Sequence, residues 1–189
     1  MTEPSDDALM RAYAAGDQHA FDRLYRRHRG PLYRYFRRHL TTAEADDCFQ
    51  MLWLKVIDQA TKYRPEGAFR RYAFTLAHNV LMDHYRRRGR LAEVSTESAE
   101  DTASALEDGA AEDGIANPEQ AAGLAELRQR LLALLDALPF HQREAWVLKQ
   151  EAALTVHEIA QVTDTSIEGV RSRLRYATSK LKAGLSHHV

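Results

Sequence analysis

The sequence predicts an all-α protein of two small helical domains joined by a flexible acidic linker, with a helix-turn-helix in the C-terminal domain. Three observations predict this fold class. Capping boxes at Thr41 and Glu44 and at Thr155 and Glu158 stand before stretches whose apolar residues recur every three or four positions. Two such stretches near the C-terminus are separated by only a short polar turn. Charge is also segregated into basic ends and an acidic middle.

The charge distribution predicts the domain boundaries. Residues 1–90 carry 17 Lys and Arg against 11 Asp and Glu, residues 91–120 carry none against 9, and residues 121–189 carry 9 against 7. The formal net charge of −1 therefore hides two basic ends and an acidic middle. Residues 91–122 also lack apolar periodicity, so burial cannot offset the entropy of ordering them. We predict a domain at 1–90, a flexible linker at 91–122 and a domain at 123–189.

Three helices are predicted in the first sixty residues. A short helix from Asp7 to Ala15 stops at Gly16, and Asp17 caps a second helix that continues past Pro31. The first capping box opens the third helix, because each of its side chains satisfies a backbone N–H that would otherwise be unpaired. The predicted buried stripe of this helix is Phe49, Leu52, Trp53, Val56 and Ile57.

A fourth helix is predicted in the stretch from Phe69 to Arg90. Its packed face, spaced at steps of three and four, consists of Phe69, Tyr72, Ala73, Leu76, Ala77 and Val80. The residues that then lie away from this face are Arg70, Arg71, Thr75, His78, Asn79, Met82, Asp83 and Arg86. The run from Arg86 to Arg88 has two interpretations, a cation cluster favoured at a helix C-terminus or a contact with nucleic acid. A second basic helix near the C-terminus favours nucleic acid.

The C-terminal domain is predicted to have four helices. The first carries Leu124, Leu127, Leu131, Leu134, Leu135 and Leu138, and it ends before Pro139 because the residue preceding proline is pushed out of the helical region. Pro139 opens the second helix, which carries Ala145, Trp146 and Leu148. The third and fourth helices are those of the helix-turn-helix.

The helix-turn-helix lies between Thr155 and Leu181. Its first helix begins at about Val156, and residues 163–166 interrupt it with side chains that bond locally to the backbone, Ser166 being a good N-cap for the next helix. The apolar positions of the second helix, which runs to about Ala183, are Ile167, Val170, Leu174, Ala177 and Leu181. The residues on its other faces include Arg171, Ser172, Arg175, Lys180 and Lys182.

A basic second helix after such a turn is typical of proteins that read the DNA major groove with side chains near the N-terminus of that helix. The alternative interpretation is a helical hairpin whose arginines are merely solvated. The pattern favours DNA binding.

The sequence lacks the signals of a membrane protein, a metal site or an enzyme. No apolar run reaches the length of a membrane span and the N-terminus lacks a signal-peptide layout, so we expect a cytoplasmic protein without membrane insertion. The single cysteine, Cys48, is expected in the core. The acidic residues Glu44, Asp46 and Asp47 follow from the helix dipole and do not predict a metal. No P-loop, H-E-x-x-H or G-x-S-x-G motif is present, so we expect no catalytic residue and no cofactor.

Five segments together resemble the extracytoplasmic-function (ECF) group of bacterial RNA polymerase sigma factors. They are GDQHAFDRLYRRH, DDCFQMLWLKV, FRRYAFTLAHNVLMDHYRRR, LPFHQREAWVLKQ and LTVHEIAQVTDTSIEGVRSRLRYATSKLK, in the family's order and with a linker in the family's place. The resemblance implies a sigma factor that binds RNA polymerase core, through the β′ clamp helices and the β flap, and directs promoter-specific transcription initiation. It also implies that the linker threads toward the active-site and RNA-exit region.

The same resemblance implies three sets of site residues. The set that docks on the clamp helices is Asp47, Gln50, Met51, Leu54 and Lys55. The set that melts and holds the −10 element is Tyr63, Arg64, Arg70, Arg71, His78, Asn79, Asp83 and Arg86. The set that reads the −35 element is Ser166, Glu168, Arg171, Ser172, Arg173 and Arg175. Four positions depart from the residues that the family often shows, namely Met51, Tyr72, Asp164 and Gly169.

Two other function classes explain the sequence less well. A regulator with one helix-turn-helix and a helical sensor domain explains neither the N-terminal helices nor the acidic linker. An enzyme is disfavoured because the sequence lacks the catalytic motifs named above. The sequence leaves open which promoters are read and whether an anti-sigma factor restrains the protein.

Overall fold

A computed structural model describes residues 3–64, 69–89 and 118–186, with side chains in the last range from residue 123 onward. These residues form eight α-helices, one turn of 3-10 helix and no strand, which confirms the all-α fold class. The N-terminal helices are α1 (Asp6–Ala14), α2 (Gln18–Arg37), α3 (Thr42–Asp58) and α4 (Phe69–Arg87), with the 3-10 turn at Ala60–Lys62. The C-terminal helices are α5 (Pro118–Asp136), α6 (Phe140–Gln150), α7 (Val156–Val162) and α8 (Ile167–Ser186). Most of the predicted linker lies outside the described residues, but its last five, 118–122, belong to α5.

The helix starts follow the capping signals in the sequence. The Asp17 carboxylate accepts hydrogen bonds from the backbone N–H groups of His19 at 2.9 Å and Ala20 at 3.3 Å. The backbone N–H of Thr41 donates to Glu44 Oε2 at 3.2 Å, and that of Thr155 donates to Glu158 Oε2 at 2.8 Å. Both predicted capping boxes are therefore present. The first opens α3, which carries the predicted polymerase-binding residues, and the second opens α7, the first helix of the helix-turn-helix.

Two predicted buried stripes are wrong in part. Ile57 of α3 is 43% exposed, and Leu124 and Leu127 of α5 are 61% and 51% exposed. The contacts of α5 with α8 come from its second half, where Leu132 and Leu135 are buried and Leu131 and Leu134 are partly buried, so the apolar residues at 124 and 127 lie beyond this contact. Helical periodicity identifies a stripe, but neighbouring elements decide how much of that stripe is covered.

Helix α4 buries a wider surface than its periodicity predicts. Phe74, Leu81 and Tyr85 are buried in addition to most of the predicted face, whereas Tyr72 is only partly buried. The reason is that α4 packs against α2 and α3 and also against α7 from the C-terminal half. A helix with neighbours on several sides cannot show a single narrow apolar stripe.

One hydrophobic cluster extends from the N-terminal helices into the C-terminal half. It joins Tyr35 and Phe74 to Phe140 and Val147 of α6 and to Ile159 of α7. A second, smaller cluster lies between α5 and α8 and consists of Leu132, Leu135, Leu138, Ala177 and Leu181. In this compact arrangement α6 and α7 therefore share a core with the N-terminal helices, and α5 and the later part of α8 form a separate pair.

Cys48 is 3% exposed in the N-terminal core, and burial raises the pKa of its thiol to about 11. It lies in the core, as predicted, and its thiol stays protonated at neutral pH.

Within the described ranges, no helix has both the length and the apolar character needed to span a bilayer.

Candidate nucleic-acid interface

The turn between α7 and α8 sets the direction of the predicted recognition helix. Asp164 adopts a left-handed backbone with φ of +46°, a conformation that aspartate tolerates better than most residues. The Ser166 hydroxyl accepts a hydrogen bond from the Gly169 N–H at 3.0 Å, so Ser166 caps α8 as predicted. Ile159 and Val170 are fully buried and hold the two helices together.

The face of α8 that holds the predicted −35 residues is defined here as the recognition face: Ser166, Glu168, Arg171, Ser172, Arg173 and Arg175. Ser166, Glu168, Arg171 and Arg175 are exposed, and Ser172 and Arg173 are partly buried. Arg171 lies 3.7 Å from the Glu168 carboxylate, and the Arg175 guanidinium lies 5.3 Å from the Tyr176 ring centre. Both arginines remain open to solvent, so a nucleic acid could replace these weak surface contacts.

A pocket lies where the 3-10 turn meets α4, and we define it as the tyrosine pocket. Its volume is about 350 Å³, and its lining consists of Gln59, Lys62, Tyr63, Arg64, Arg71, Tyr72 and Thr75. The Tyr63 and Tyr72 rings are 4.9 Å apart between centres and inclined at 59°. The Tyr72 hydroxyl donates to Gln59 Oε1 at 3.2 Å. The pocket thus combines an aromatic wall with three cationic side chains.

Tyr72 was predicted on the packed face, and the structure places it at the boundary instead. It is partly buried, and its ring forms part of the pocket wall. Gln59 and Lys62 were not predicted as site residues. They belong to the chain just before the predicted set, and their place in the pocket depends on the 3-10 turn, which no local signal in our sequence analysis identified.

The other predicted −10 residues do not share one environment. Arg64, Arg70, Asn79 and Arg86 are exposed. Asp83 is paired with Arg86 at 2.5 Å and lies 3.7 Å from Lys55 Nζ, so it neutralises cations rather than presenting a free carboxylate. The four exposed residues, together with the tyrosine pocket, offer the surface on this side of α4 that a nucleic acid could reach.

His78 and Arg71 are covered by the C-terminal helices in this arrangement. His78 Nδ1 lies 2.7 Å from Glu144 Oε1 of α6, and the side chain of His78 is only 13% exposed. Arg71 Nη1 donates to Gln161 Oε1 of α7 at 3.0 Å. The expectation that His78 is exposed is therefore wrong for the compact arrangement, because α6 packs over it. The part that His78 plays at a promoter stays a prediction.

Glu144 lies at the centre of the contact between the two halves. It is fully buried, and its Oε1 also accepts a hydrogen bond from the Tyr35 hydroxyl at 2.7 Å. We define Tyr35, His78 and Glu144 as the Glu144 cluster. Around it, Glu151 is paired with Arg38 at 3.0 Å and also with Arg34. This polar cluster was not predicted, because its members come from three helices that are distant in sequence.

The cluster shifts the protonation of its members in opposite directions. Burial by itself lowers the pKa of His78, but the hydrogen bond to Glu144 and the charge of that carboxylate outweigh burial and raise it. Burial by itself raises the pKa of Glu144, but the bond with His78 and the charges around it lower it. Contact between the two side chains therefore favours the imidazolium form of His78 and the carboxylate form of Glu144. Nearby, burial lowers the pKa of His39 to about 3 and keeps it neutral.

The predicted polymerase-binding residues lie together on α3, on what we define as the α3 face. Asp47, Gln50, Met51 and Leu54 are exposed and Lys55 is partly buried. Met51 is 39% exposed and Leu54 is 53% exposed, which is high for apolar side chains. Ile57 is also exposed on α3, although its apolar character and spacing predicted burial.

Comparison with known proteins identifies two regions of the chain with a known family. The chain matches the family Sigma-70 region 2 over residues 24–91 and the family Sigma-70, region 4 over residues 134–183. It is 32% identical over 192 residues to the ECF RNA polymerase sigma factor SigE of Mycolicibacterium smegmatis, covering 98% of this chain and 71% of that protein. It is 28% identical over 170 residues to the ECF RNA polymerase sigma-E factor of Escherichia coli K12, covering 90% of this chain and 88% of that protein.

Two solved structures share the fold. CnrH, in complex with the cytosolic domain of CnrY, matches with a TM-score of 0.66 at 23% identity, over 98% of this chain and 100% of that one. The sigma factor RpoE of Bartonella quintana, in complex with the anti-sigma factor NepR, matches with a TM-score of 0.67 at 18% identity, over 89% of this chain and 98% of that one. From the two matched regions and the relatives we conclude that the chain belongs to the ECF group of the sigma-70 family, whose members bind RNA polymerase and direct transcription initiation at promoters.

Proposed function

We propose that this sigma factor opens promoters by capturing an unpaired base in the tyrosine pocket, while the recognition face reads the −35 element and the α3 face binds the β′ clamp helices. The observation that carries the proposal is the pocket itself, where two tyrosine rings lie 4.9 Å apart beside Lys62, Arg64 and Arg71. We place this activity in the cytoplasm, where RNA polymerase acts. An anti-sigma factor for this chain stays a prediction.

The chemistry of the pocket suits single-stranded DNA. Opening a promoter without ATP requires unpaired bases to gain from the protein what they lose from the stack, roughly 1.4 kcal/mol per step. Stacking on an aromatic side chain returns about 1–3 kcal/mol per base, and cations beside the ring attract the backbone phosphates. Arg70 and Asn79 are exposed on α4 beyond the pocket and extend this surface along the helix. Capture of one or two bases would therefore balance the cost of the first opened steps.

The recognition face supports a separate role in duplex recognition. Arg171 and Arg175 are exposed near the N-terminal half of α8, the part of a helix-turn-helix that reaches base edges. Ser166 and the start of α8 supply a helix N-terminus that favours phosphate. The α3 face exposes the apolar side chains of Met51 and Leu54. Such side chains suit contact with a protein helix better than contact with DNA.

We further propose that the compact arrangement is the promoter-free state. Arg71, which lines the tyrosine pocket, is bonded to Gln161 of α7, and His78, which belongs to the predicted −10 set, is bonded to Glu144 of α6. Promoter opening would require these bonds to be exchanged for contacts with DNA. Separation of the halves would also let the recognition face and the pocket reach elements that are two helical turns apart, about 70 Å.

The experiment that tests the proposal replaces Arg70, Arg71 and Asn79 by Ala in the full chain. With RNA polymerase core and a promoter identified by sequencing its transcripts, we expect closed complexes to form normally and strand opening to fall at least about tenfold, since several captured-base contacts of about 1 kcal/mol or more are lost. Permanganate reactivity of unpaired thymines measures opening, and a pre-opened bubble restores it in part. The control is Arg26→Ala with Arg29→Ala, which removes two exposed cations from α2. Equal opening by variant and parent on duplex DNA would exclude these residues from strand capture.

A further inference from the structure

Helix α1 contacts the tyrosine pocket through a hydrogen bond to one of its two tyrosines. The Tyr63 hydroxyl donates a hydrogen bond to the Asp7 carboxylate, with 2.5 Å between the oxygens. The Tyr63 ring also meets the edge of Phe69, 5.9 Å away between centres. Tyr63 is thus held by its hydroxyl on one side and by two aromatic rings, those of Phe69 and Tyr72, on the others.

Asp7 is itself held in place by α1. Ser5 caps this helix, its hydroxyl accepting from the Ala8 N–H at 3.2 Å. The neighbouring Asp6 carboxylate lies 2.7 Å from His28 Nε2 and is also paired with Arg27 of α2. Helix α1 in turn packs on the 3-10 turn and on α4, the two elements that form the pocket. Helix α1 is therefore anchored on α2 through Asp6, and its packing places Asp7 beside the pocket.

We propose that Asp7 is a positioning residue for promoter opening: it holds the Tyr63 ring in the pocket wall before DNA arrives. This inference rests on the proposed capture of a base in the pocket. Electrostatics alone implies the opposite role, because a carboxylate near a DNA-binding surface repels phosphate. An acidic residue that aids opening must act through the geometry of its partner, and the hydrogen bond to Tyr63 supplies that geometry.

The two roles have opposite signs when Asp7 is replaced. If Asp7 only repels phosphate, Asp7→Ala accelerates opening. If Asp7 positions Tyr63, Asp7→Ala slows opening by about 2- to 12-fold, the cost of ordering one flexible side chain upon binding. Asp7→Asn keeps an acceptor oxygen for the hydroxyl and loses the charge, so we expect it to open promoters at least as fast as the parent.

The experiment measures opening rates of the holoenzyme on duplex promoter by permanganate reactivity against time, for Asp7→Ala, Asp7→Asn and Tyr63→Phe. Tyr63→Phe removes the hydroxyl donor, so we expect it to slow opening as much as Asp7→Ala does. The double variant that combines Asp7→Ala with Tyr63→Phe is expected to open no more slowly than either single variant, because both remove the same hydrogen bond. Closed-complex affinity and thermal stability report any general damage, and Asp22→Ala, which removes an exposed acid from α2, is the matched control. Parent-like or faster opening by Asp7→Ala, or multiplied defects in the double variant, would overturn the inference.

A further variant separates this inference from the proposed function. Tyr63→Ala removes the pocket wall outright. If Tyr63→Ala opens duplex promoters at the parent rate, capture in the pocket fails and the role of Asp7 fails with it. If Tyr63→Ala is slow while Asp7→Ala is not, the pocket stands and only the positioning role is overturned.

Discussion

The two surfaces proposed to bind DNA are built in different ways. The recognition face comes from one helix and the turn before it, and most of its residues are exposed in the compact arrangement. The tyrosine pocket is assembled from the 3-10 turn and α4, braced by α1, and Arg71 at its edge is bonded to Gln161 of the other half. A surface formed by residues close in sequence can be exposed whatever the rest of the chain does. A surface formed by several elements changes when any one of these elements moves.

The Glu144 cluster is the reason that the second surface depends on the arrangement of the halves. A buried carboxylate is tolerated when its partners are present and is costly when they are removed. Contact between the halves therefore depends on pairing Glu144 with Tyr35 and His78, at 2.7 Å each. An interface of this kind has a narrow range of stable geometries, because separation of the halves by a small distance would leave the charges unpaired and still poorly solvated.

The largest effect is expected when His78 is replaced by Ala, which leaves the buried Glu144 carboxylate without its cationic partner. Removing one partner of a buried pair costs about 3–5 kcal/mol, and this cost falls on the contact between the halves. Energy transfer between labels at Asp22→Cys and Lys180→Cys, both exposed positions, is expected to fall as the halves separate. Arg86→Ala, which removes an exposed cation from the same helix, is the control. Unchanged transfer would show that the Glu144 cluster does not hold the halves together.

A smaller effect, on affinity for DNA, is expected from changes in the recognition face, whose residues do not depend on contact between the two halves of the chain. Arg171→Ala or Arg175→Ala is expected to weaken −35 binding by about 1–3 kcal/mol if a base contact is lost, or to lower the salt slope by about one if a phosphate contact is lost. Binding to promoter and to random DNA at several salt concentrations distinguishes the two cases. Arg26→Ala serves as the control. If both variants bind like the parent at every salt concentration, DNA docks on another face.

Contact between the N-terminal and C-terminal helices, which we call closure, is expected to depend on pH. This dependence affects the tyrosine pocket and leaves the recognition face unchanged. The pKa of His78 is raised in the compact arrangement, so its stabilising effect is present below the ordinary value of about 6.5 and is lost as pH rises through the raised value. The pKa of Glu144 is lowered, so its effect is lost only as pH falls through that lowered value. Energy transfer between the same labels is expected to decrease toward alkaline pH. His78→Gln is expected to remove this alkaline decrease.

His39 adds an opposing dependence on the acid side. Its pKa is about 3 in the compact arrangement, so the separated form binds its proton more readily and closure weakens as pH falls below about 6.5. The charged groups that influence His39 are Arg143, Glu144, His78 and Arg38, and those that influence His78 are Glu144 and Asp164. Closure is thus expected to be strongest between the two limbs. A profile that only rises or only falls from pH 5 to 9 would contradict this assignment.

The smallest expected effect concerns separation of the chain into fragments. Independent folding of residues 1–90 and 123–189 stays a prediction from the sequence, as does preferential protease cleavage between Glu93 and Glu119. The structure refines the choice of fragment, because α5 begins at Pro118 and a fragment from residue 118 keeps the whole helix. We expect the C-terminal fragment to unfold at a lower temperature than the N-terminal one, since α6 and α7 lose the core that they share with α2 and α4. Equal stability would show that this shared core contributes little.

Much of the fold could be predicted because helix starts depend on residues close in sequence. The capping boxes, Asp17 and Ser166 act within three positions, and the structure confirms each of them. The exposure of Met51 and Leu54 on α3 and of Arg171 and Arg175 on α8 agrees with their spacing, whereas the roles assigned to them stay predictions. Errors arose where a second element decides burial. None of the described helices covers the apolar Ile57, whereas α6 covers the polar His78.

Interactions within a few positions of the sequence specify the all-α class, the starts of the capped helices and the turn of the helix-turn-helix. Tertiary packing brings Asp7 to Tyr63, His78 to Glu144 and Glu144 to Tyr35. These pairs are 56, 66 and 109 residues apart, and helical periodicity carries no information over such distances. The surface proposed for strand capture therefore forms only when the helices pack, whereas the surface proposed to read the −35 element comes from one turn and one helix.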